Sequence, residues 1–261
     1  MTASLSETLR AGTRGRHDAL EATAFARALL SGTLPLERYV AQLTAYRLVL
    51  GALEDELSRA PGPAVTEVWS AELVKLPLVE RDLRYFAERG TVAGPGACGE
   101  ASVFARGTAE PRVAEETAEE GRAAGAARTA GPGTAQAAGP GATQAVEARV
   151  RQAAQAFVAE IRHTAAVDPD ALLGFLYVLE GSTLGALVLH RHVCTAYGLC
   201  APDGVSYYGC GDHARWARFT GRMNAAVTDP GVRLRIADAA ERAYRHTLTL
   251  TTALSSGLPL S

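Results

Sequence analysis

Gly174-Phe175-Leu176-Tyr177-Val178-Leu179-Glu180-Gly181-Ser182-Thr183-Leu184-Gly185 is the stretch on which the fold turns. It lies in a segment that opens at Asp168-Pro169, an N-cap residue followed by a proline in the first turn. The segment runs on as helix from roughly Pro169 to Tyr197. Its apolar run, Ala171 to Leu179, spans nine residues and stops at Glu180; a membrane span needs roughly 20. Each glycine inside a helix costs about 1 kcal/mol relative to alanine, so three in one helix require a reason. Gly181-xxx-Gly185 has the spacing of tight helix–helix packing. Equally, glycines let a backbone approach or bend over a flat ligand. Spacing alone leaves both readings open.

Outward from this helix, the rest of the chain also reads as helix. On the C-terminal side, Trp216, Phe219 and Met223 mark one helix, and Asp229-Pro230 opens a last one that stops near Gly257. On the N-terminal side, order resumes near Val150 in a helix carrying Ala156, Phe157 and Ile161. Residues 91–149 differ in character. From Gly121 to Ala145, 18 of 25 residues are Ala, Gly or Pro and none is Leu, Ile, Val or aromatic. Such a segment cannot bury enough apolar surface to offset its ordering entropy, so it reads as a flexible, low-complexity insertion. Before it, Leu36, Tyr39, Leu43, Tyr46, Leu50, Leu53 and Leu57 form a buried stripe on a helix from Leu36 to Arg59. Pro61-Gly62-Pro63 ends that helix, and a shorter one follows, broken at Pro77, with Leu83 and Phe86 anchoring its second half. The first helix starts at a capping box, Ser4 with Glu7, and places Leu5, Leu9, Thr13, His17, Leu20 and Glu21 on one face. No alternating strand pattern occurs. The class is all-α: residues 1–90 and 150–261 form one helical domain, interrupted by 91–149.

Composition narrows the function. A hydrophobic fraction of 48% supplies a core, and a net charge of −2 with no basic block argues against nucleic-acid binding. The N-terminus has no apolar core, so no signal peptide is expected. Cys98, Cys194, Cys200 and Cys210 show no CxxC pairing, which argues against a disulfide framework or a zinc site. A reducing, cytoplasmic setting without a membrane partner follows as the expectation. Glu160-x-x-His163 has di-iron spacing but no second copy, and so reads as a surface pair. His190 and His192 are expected to face solvent or the helix end. A lone histidine on an apolar helix face, such as His17, is most often structural. A neutral imidazole is equally a good iron ligand when its other nitrogen is held, and Glu21 four residues on could hold it directly or through water.

Leu9-Arg10-xx-Thr13-xxx-His17-xxx-Glu21 resembles the proximal helix of haem oxygenases. Tyr177-Val178-Leu179-Glu180-Gly181-Ser182-Thr183-Leu184-Gly185 resembles the distal helix of their bacterial, biliverdin-forming branch, including enzymes that accompany bacteriophytochromes. Trp216-xx-Phe219 fits as well. The resemblance covers roughly residues 5–90 and 150–226; the distal string is its specific part. It implies a single helical bundle with haem between a proximal and a distal helix, the haem being cofactor and substrate. It implies His17 as the iron ligand, oriented by Glu21, and Gly181, Ser182 and Gly185 as the catalytic backbone over the haem face, with Tyr177 beside them. Arg10 falls where the family places a basic residue near a propionate, and Arg215, Arg218 and Arg222 are candidates for the other, since guanidinium pairs well with carboxylate. The implied reaction is cleavage of haem to biliverdin, carbon monoxide and ferrous iron, using O2 and electrons from a ferredoxin or flavin reductase. The pattern departs in two places. Ser182 stands where animal members carry a water-organising aspartate, which bacterial relatives with this string also lack, and the 91–149 insertion is long for the family. The alternatives are a non-catalytic haem-binding protein on the same fold, or a non-haem member of the fold superfamily.

Overall fold

The structure is a computed structural model that describes residues 3–59, 62–89 and 140–259. Most of the expected 91–149 insertion lies outside the described residues. Among those described, the elements are α1 (Leu5–Glu21), α2 (Ala24–Leu30), α3 (Leu36–Arg59), α4 (Pro63–Val68), α5 (Leu76–Glu88), α6 (Pro140–Val167), α7 (Leu172–Tyr197), α8 (His213–Ala226) and α9 (Pro230–Ser255), with two short 3₁₀ turns and no strand. The all-α class holds.

Local chemistry sets many of the ends. Ser4 and Glu7 form the reciprocal capping box of α1, and Asp229 accepts the Val232 N–H to start α9. Thr23 caps a separate short helix, α2. Three expectations need correction. Pro77 does not break a helix; it sits in the first turn of α5, where its missing N–H costs nothing. The helix expected near Val150 begins at Pro140, and Val146 and Val150 both enter the core. Asp168 does not cap the following turn, because its carboxylate pairs with Arg235 on α9.

Packing centres on α7 and α9. α9 lies against α1, α6 and α7, while α3 packs on α5 and α6. From Leu172 to Glu180 every residue of α7 is buried, as expected of a helix that is apolar all round. By length and composition Pro169–Tyr197 could cross a membrane, but 61% of its most apolar window is buried inside the protein. The close approach of α7 to α9 rests on Gly174. A Cβ there would stand 2.3 Å from the Ile236 carbonyl oxygen and 2.6 Å from the Ala240 nitrogen. The Leu36–Leu57 stripe of α3 is buried as read, apart from the half-buried Leu36. Buried Asp82 on α5 accepts the Ser206 and Tyr207 N–H groups at 2.8 Å, tying down the loop between α7 and α8; burial still raises its pKa above the ordinary value. Cys194 and Cys210 are free thiols, whereas Cys200 is disulfide-bonded, a bond that the irregular cysteine spacing does not announce.

Candidate active site

α1 and the second half of α7 both line one cavity of about 880 Å³, within the size range of small-molecule sites. Leu5, Leu9 and Thr13 turn into the core, while His17 and Glu21 reach its rim; both are exposed, the imidazole 54% so. The His17 Nδ1 lies 3.7 Å from the Glu21 carboxylate. This is too far for a direct hydrogen bond, although a water can bridge such a gap. Asp18 approaches the same nitrogen at 4.0 Å. With Nδ1 facing carboxylates, Nε2 is the ring atom left for a ligand.

The glycines of α7 divide by function. Gly174 is helix packing, as its contacts with α9 show. A Cβ on Gly181 would come 3.2 Å from the Trp216 ring, and one on Gly185 would meet nothing within 4 Å. Bare backbone therefore faces the cavity at Gly185, and an indole lies on it at Gly181. Ser182 also lines the cavity, but its hydroxyl donates to the Leu179 carbonyl at 2.7 Å, a common local bond for a helical serine.

Arg10 lines the cavity and bears on Tyr177, whose pKa is pushed up to about 12 by burial and by Tyr244, with the Arg10 charge acting the other way. Tyr177 and Trp216 rings lie 5.1 Å apart. Arg14, one turn beyond Arg10, lines the cavity too and was missed by the sequence reading; its i,i+4 spacing from Arg10 was the available signal. The arginines of α8 are not brought to the site. Trp216 and Thr220 face the cavity instead. Arg218 and Arg222 both pair with Glu72 on the opposite face, and Arg215 holds Glu180 at 2.6 Å. A helix has two sides, and nearby carboxylates claim this one. Gln42, Tyr46, Tyr207 and Tyr208 add a polar inner wall that no motif marks in the sequence; the Tyr208 hydroxyl donates to Gln42 at 2.6 Å.

The other candidates lie elsewhere. Glu160 pairs with Arg242. His190 lies 3.9 Å from Cys194, half-buried, and His192 is exposed.

One cavity thus brings together a metal-ligating imidazole (His17), bare helix backbone (Gly185) and two cationic side chains (Arg10 and Arg14).

Solved structures share this architecture. A haem oxygenase from Leptospira interrogans superposes with a TM-score of 0.67 at 18% identity, over 96% of this chain and 99% of its own. Haem oxygenase-1 from the cyanobacterium Synechocystis, in complex with haem, gives 0.69 at 19% identity, over 98% and 94%. Haem oxygenase-2 from the same organism, with haem and NO, gives 0.68 at 16%, over 97% and 85%. No curated protein sequence matches the chain significantly. The family model described as "Heme oxygenase" matches residues 3–94 and 140–252, well over half of the chain. This chain therefore belongs to the haem oxygenase family.

Proposed function

We propose that the chain binds haem between α1 and α7 and cleaves it oxidatively to biliverdin, carbon monoxide and ferrous iron. The observation that carries this reading is one cavity lined both by His17 on α1 and by the Cβ-free backbone of Gly185 on α7. Two of the structurally similar proteins hold haem, as stated for them.

His17 would hold the iron through Nε2, with Glu21 orienting the ring across a water. Arg10 and Arg14 would hold the acidic substituents, and Tyr177 and Trp216 would pack against the apolar part of the molecule. Gly185 would leave it room beside the α7 backbone, with the Trp216 ring lying on Gly181. The bound haem carries the redox chemistry, with O2 and electrons from an external ferredoxin or flavin reductase. In this chain's own hands lie binding, orientation and the polarity of the pocket. With its proton given to Leu179, Ser182 is left as an acceptor, beside the backbone groups and the tyrosine wall that would order water there. The Tyr177–Gly185 string favours the branch that accompanies bacteriophytochromes.

Haem titration tests the reading. A Soret band should saturate at one equivalent and, on reduction in air, give way to biliverdin absorption. His17→Ala should fold, lose the histidine-ligated spectrum and most turnover, and recover part of both with imidazole. An unchanged Soret band and rate in His17→Ala would remove the assignment. A stable Soret band that never bleaches in the wild type would favour a haem-binding protein without turnover.

A further inference from the structure

Glu180 sits immediately before Gly181, at the end of the apolar run of α7, and is only 2% exposed. Its Oε2 lies 2.7 Å from the Lys75 ammonium and its Oε1 accepts the Arg215 Nε–H at 2.6 Å. Both partners are tied further: Lys75 donates to the Leu73 carbonyl at 2.9 Å, and Arg215 Nη2 donates to the Cys210 carbonyl at 2.8 Å. One carboxylate thus joins α7, the segment before α5, and the first turn of α8. Arg215 directly precedes Trp216, whose ring lies against Gly181 and 5.1 Å from Tyr177. Well-packed apolar side chains generally stabilise a core as well as a buried ion cluster does. Stability alone does not explain three charges here.

We propose that Glu180, acting through Arg215, is the positioning residue that sets Trp216 on the cavity wall, and through it the in-plane orientation of the substrate and the methine bridge that is opened. This rests on the haem reading above. Glu180 holds two cations, and the buried Glu54 carboxylate, which accepts the Lys75 backbone N–H at 2.7 Å, adds a second acidic group beside Lys75. Loss of Arg215 leaves Lys75 between two carboxyl groups, whereas loss of the Glu180 charge leaves Arg215 without its anion. Arg215 variants are therefore the ones expected to fold.

Trp69 and Trp216 are the two tryptophans of the chain, so Trp69→Phe isolates Trp216 as a probe that needs no haem. In that background Arg215→Met should move Trp216 emission to longer wavelength, and Arg215→Lys should restore part of the shift by keeping a cation. With haem and a reductant, Arg215→Met should yield a biliverdin isomer absent from the wild type, separated by chromatography, and Arg215→Lys should return the mixture toward the parent product. Emission and isomer pattern identical to wild type in Arg215→Met, with only a lowered Tm, would overturn the proposal. A wild-type protein that forms no Soret band would overturn the haem reading and the bridge-selecting role with it. The emission measurement would then still decide whether Arg215 positions Trp216. Glu180→Gln, if it folds, should match Arg215→Met in emission; wild-type emission there counts against the proposal.

Discussion

Gly174→Ala is the sharpest test of the packing. By propensity alone the change should stabilise a helix interior by up to about 1 kcal/mol. The structure reverses the sign. The new methyl would stand 2.3 Å from the Ile236 carbonyl oxygen and 2.6 Å from the Ala240 nitrogen. Both are backbone atoms of α9, and neither can swing aside as a flexible side chain could. Relief requires α7 and α9 to part by roughly 1 Å along their contact, which disturbs a close-packed interior. Overpacking costs about 1–3 kcal/mol; two backbone contacts below 3 Å put this site at the upper end, about 2–3 kcal/mol, and subtracting the propensity gain of about 1 kcal/mol leaves a loss of about 1–2 kcal/mol. For a domain of this size, 1 kcal/mol moves Tm by roughly 2–4 °C; the expected drop is therefore about 2–8 °C. Gly185→Ala is the control on the same helix: nothing lies within 4 Å of its added Cβ, and its Tm should rise by up to about 4 °C. Both are read by thermal denaturation of the haem-free protein, followed by circular dichroism at 222 nm, a wavelength that reports helix. Equal stabilisation by the two substitutions would refute the close approach of α7 to α9.

Gly181→Ala should fold with a Tm within a few degrees of wild type, because the half-buried Trp216 ring can yield the few tenths of an ångström its methyl needs. It should bind haem and form biliverdin slowly, and wild-type turnover would take Gly181 out of the active site. Arg218→Ala and Arg222→Ala should leave haem affinity unchanged, since both side chains pair with Glu72 away from the cavity; a clear loss in the titration would return them to the propionates. His246 lies stacked on Phe157 at 5.1 Å, and burial lowers its pKa below the ordinary 6.5. The unfolded chain then takes up this proton first, so stability is lost as pH falls through 6.5 toward the lowered value. His246→Phe should flatten the urea midpoint between pH 7 and pH 5.5, and an unchanged slope would show that another group carries the dependence.

Several elements were legible because their causes are local. Ser4 and Glu7 cap α1 through groups three residues apart, and the stripe from Leu36 to Leu57 marks α3 by its period. His17, Glu21, Gly181 and Gly185 were singled out from two helices far apart in the chain, and all four line one cavity. Other readings failed where a distant partner decided. Asp168 has the composition of an N-cap, yet Arg235 takes its carboxylate. Pro77 was read as a break when it begins a helix, since proline suits the first turn as well as it ends a run. The start of α6 at Pro140 was hidden by its own composition: alanine and glycine look like linker until Val146 and Val150 meet the core.

Sequence by itself determined the helical class, the apolar stripes and the two helices that carry the recognisable motifs, because hydrogen bonding within a helix and side-chain periodicity act over a few residues. Only the tertiary structure decided what each glycine of α7 faces: the backbone of α9 at Gly174, an indole at Gly181, open space at Gly185. It also decided which side of α8 meets the cavity, placing Trp216 and Thr220 there and leaving Arg218 and Arg222 to Glu72. Three glycines in one helix, or arginines around its turn, are equivalent in propensity. Their roles separate only when another chain segment packs against each face and supplies a steric limit or an opposite charge.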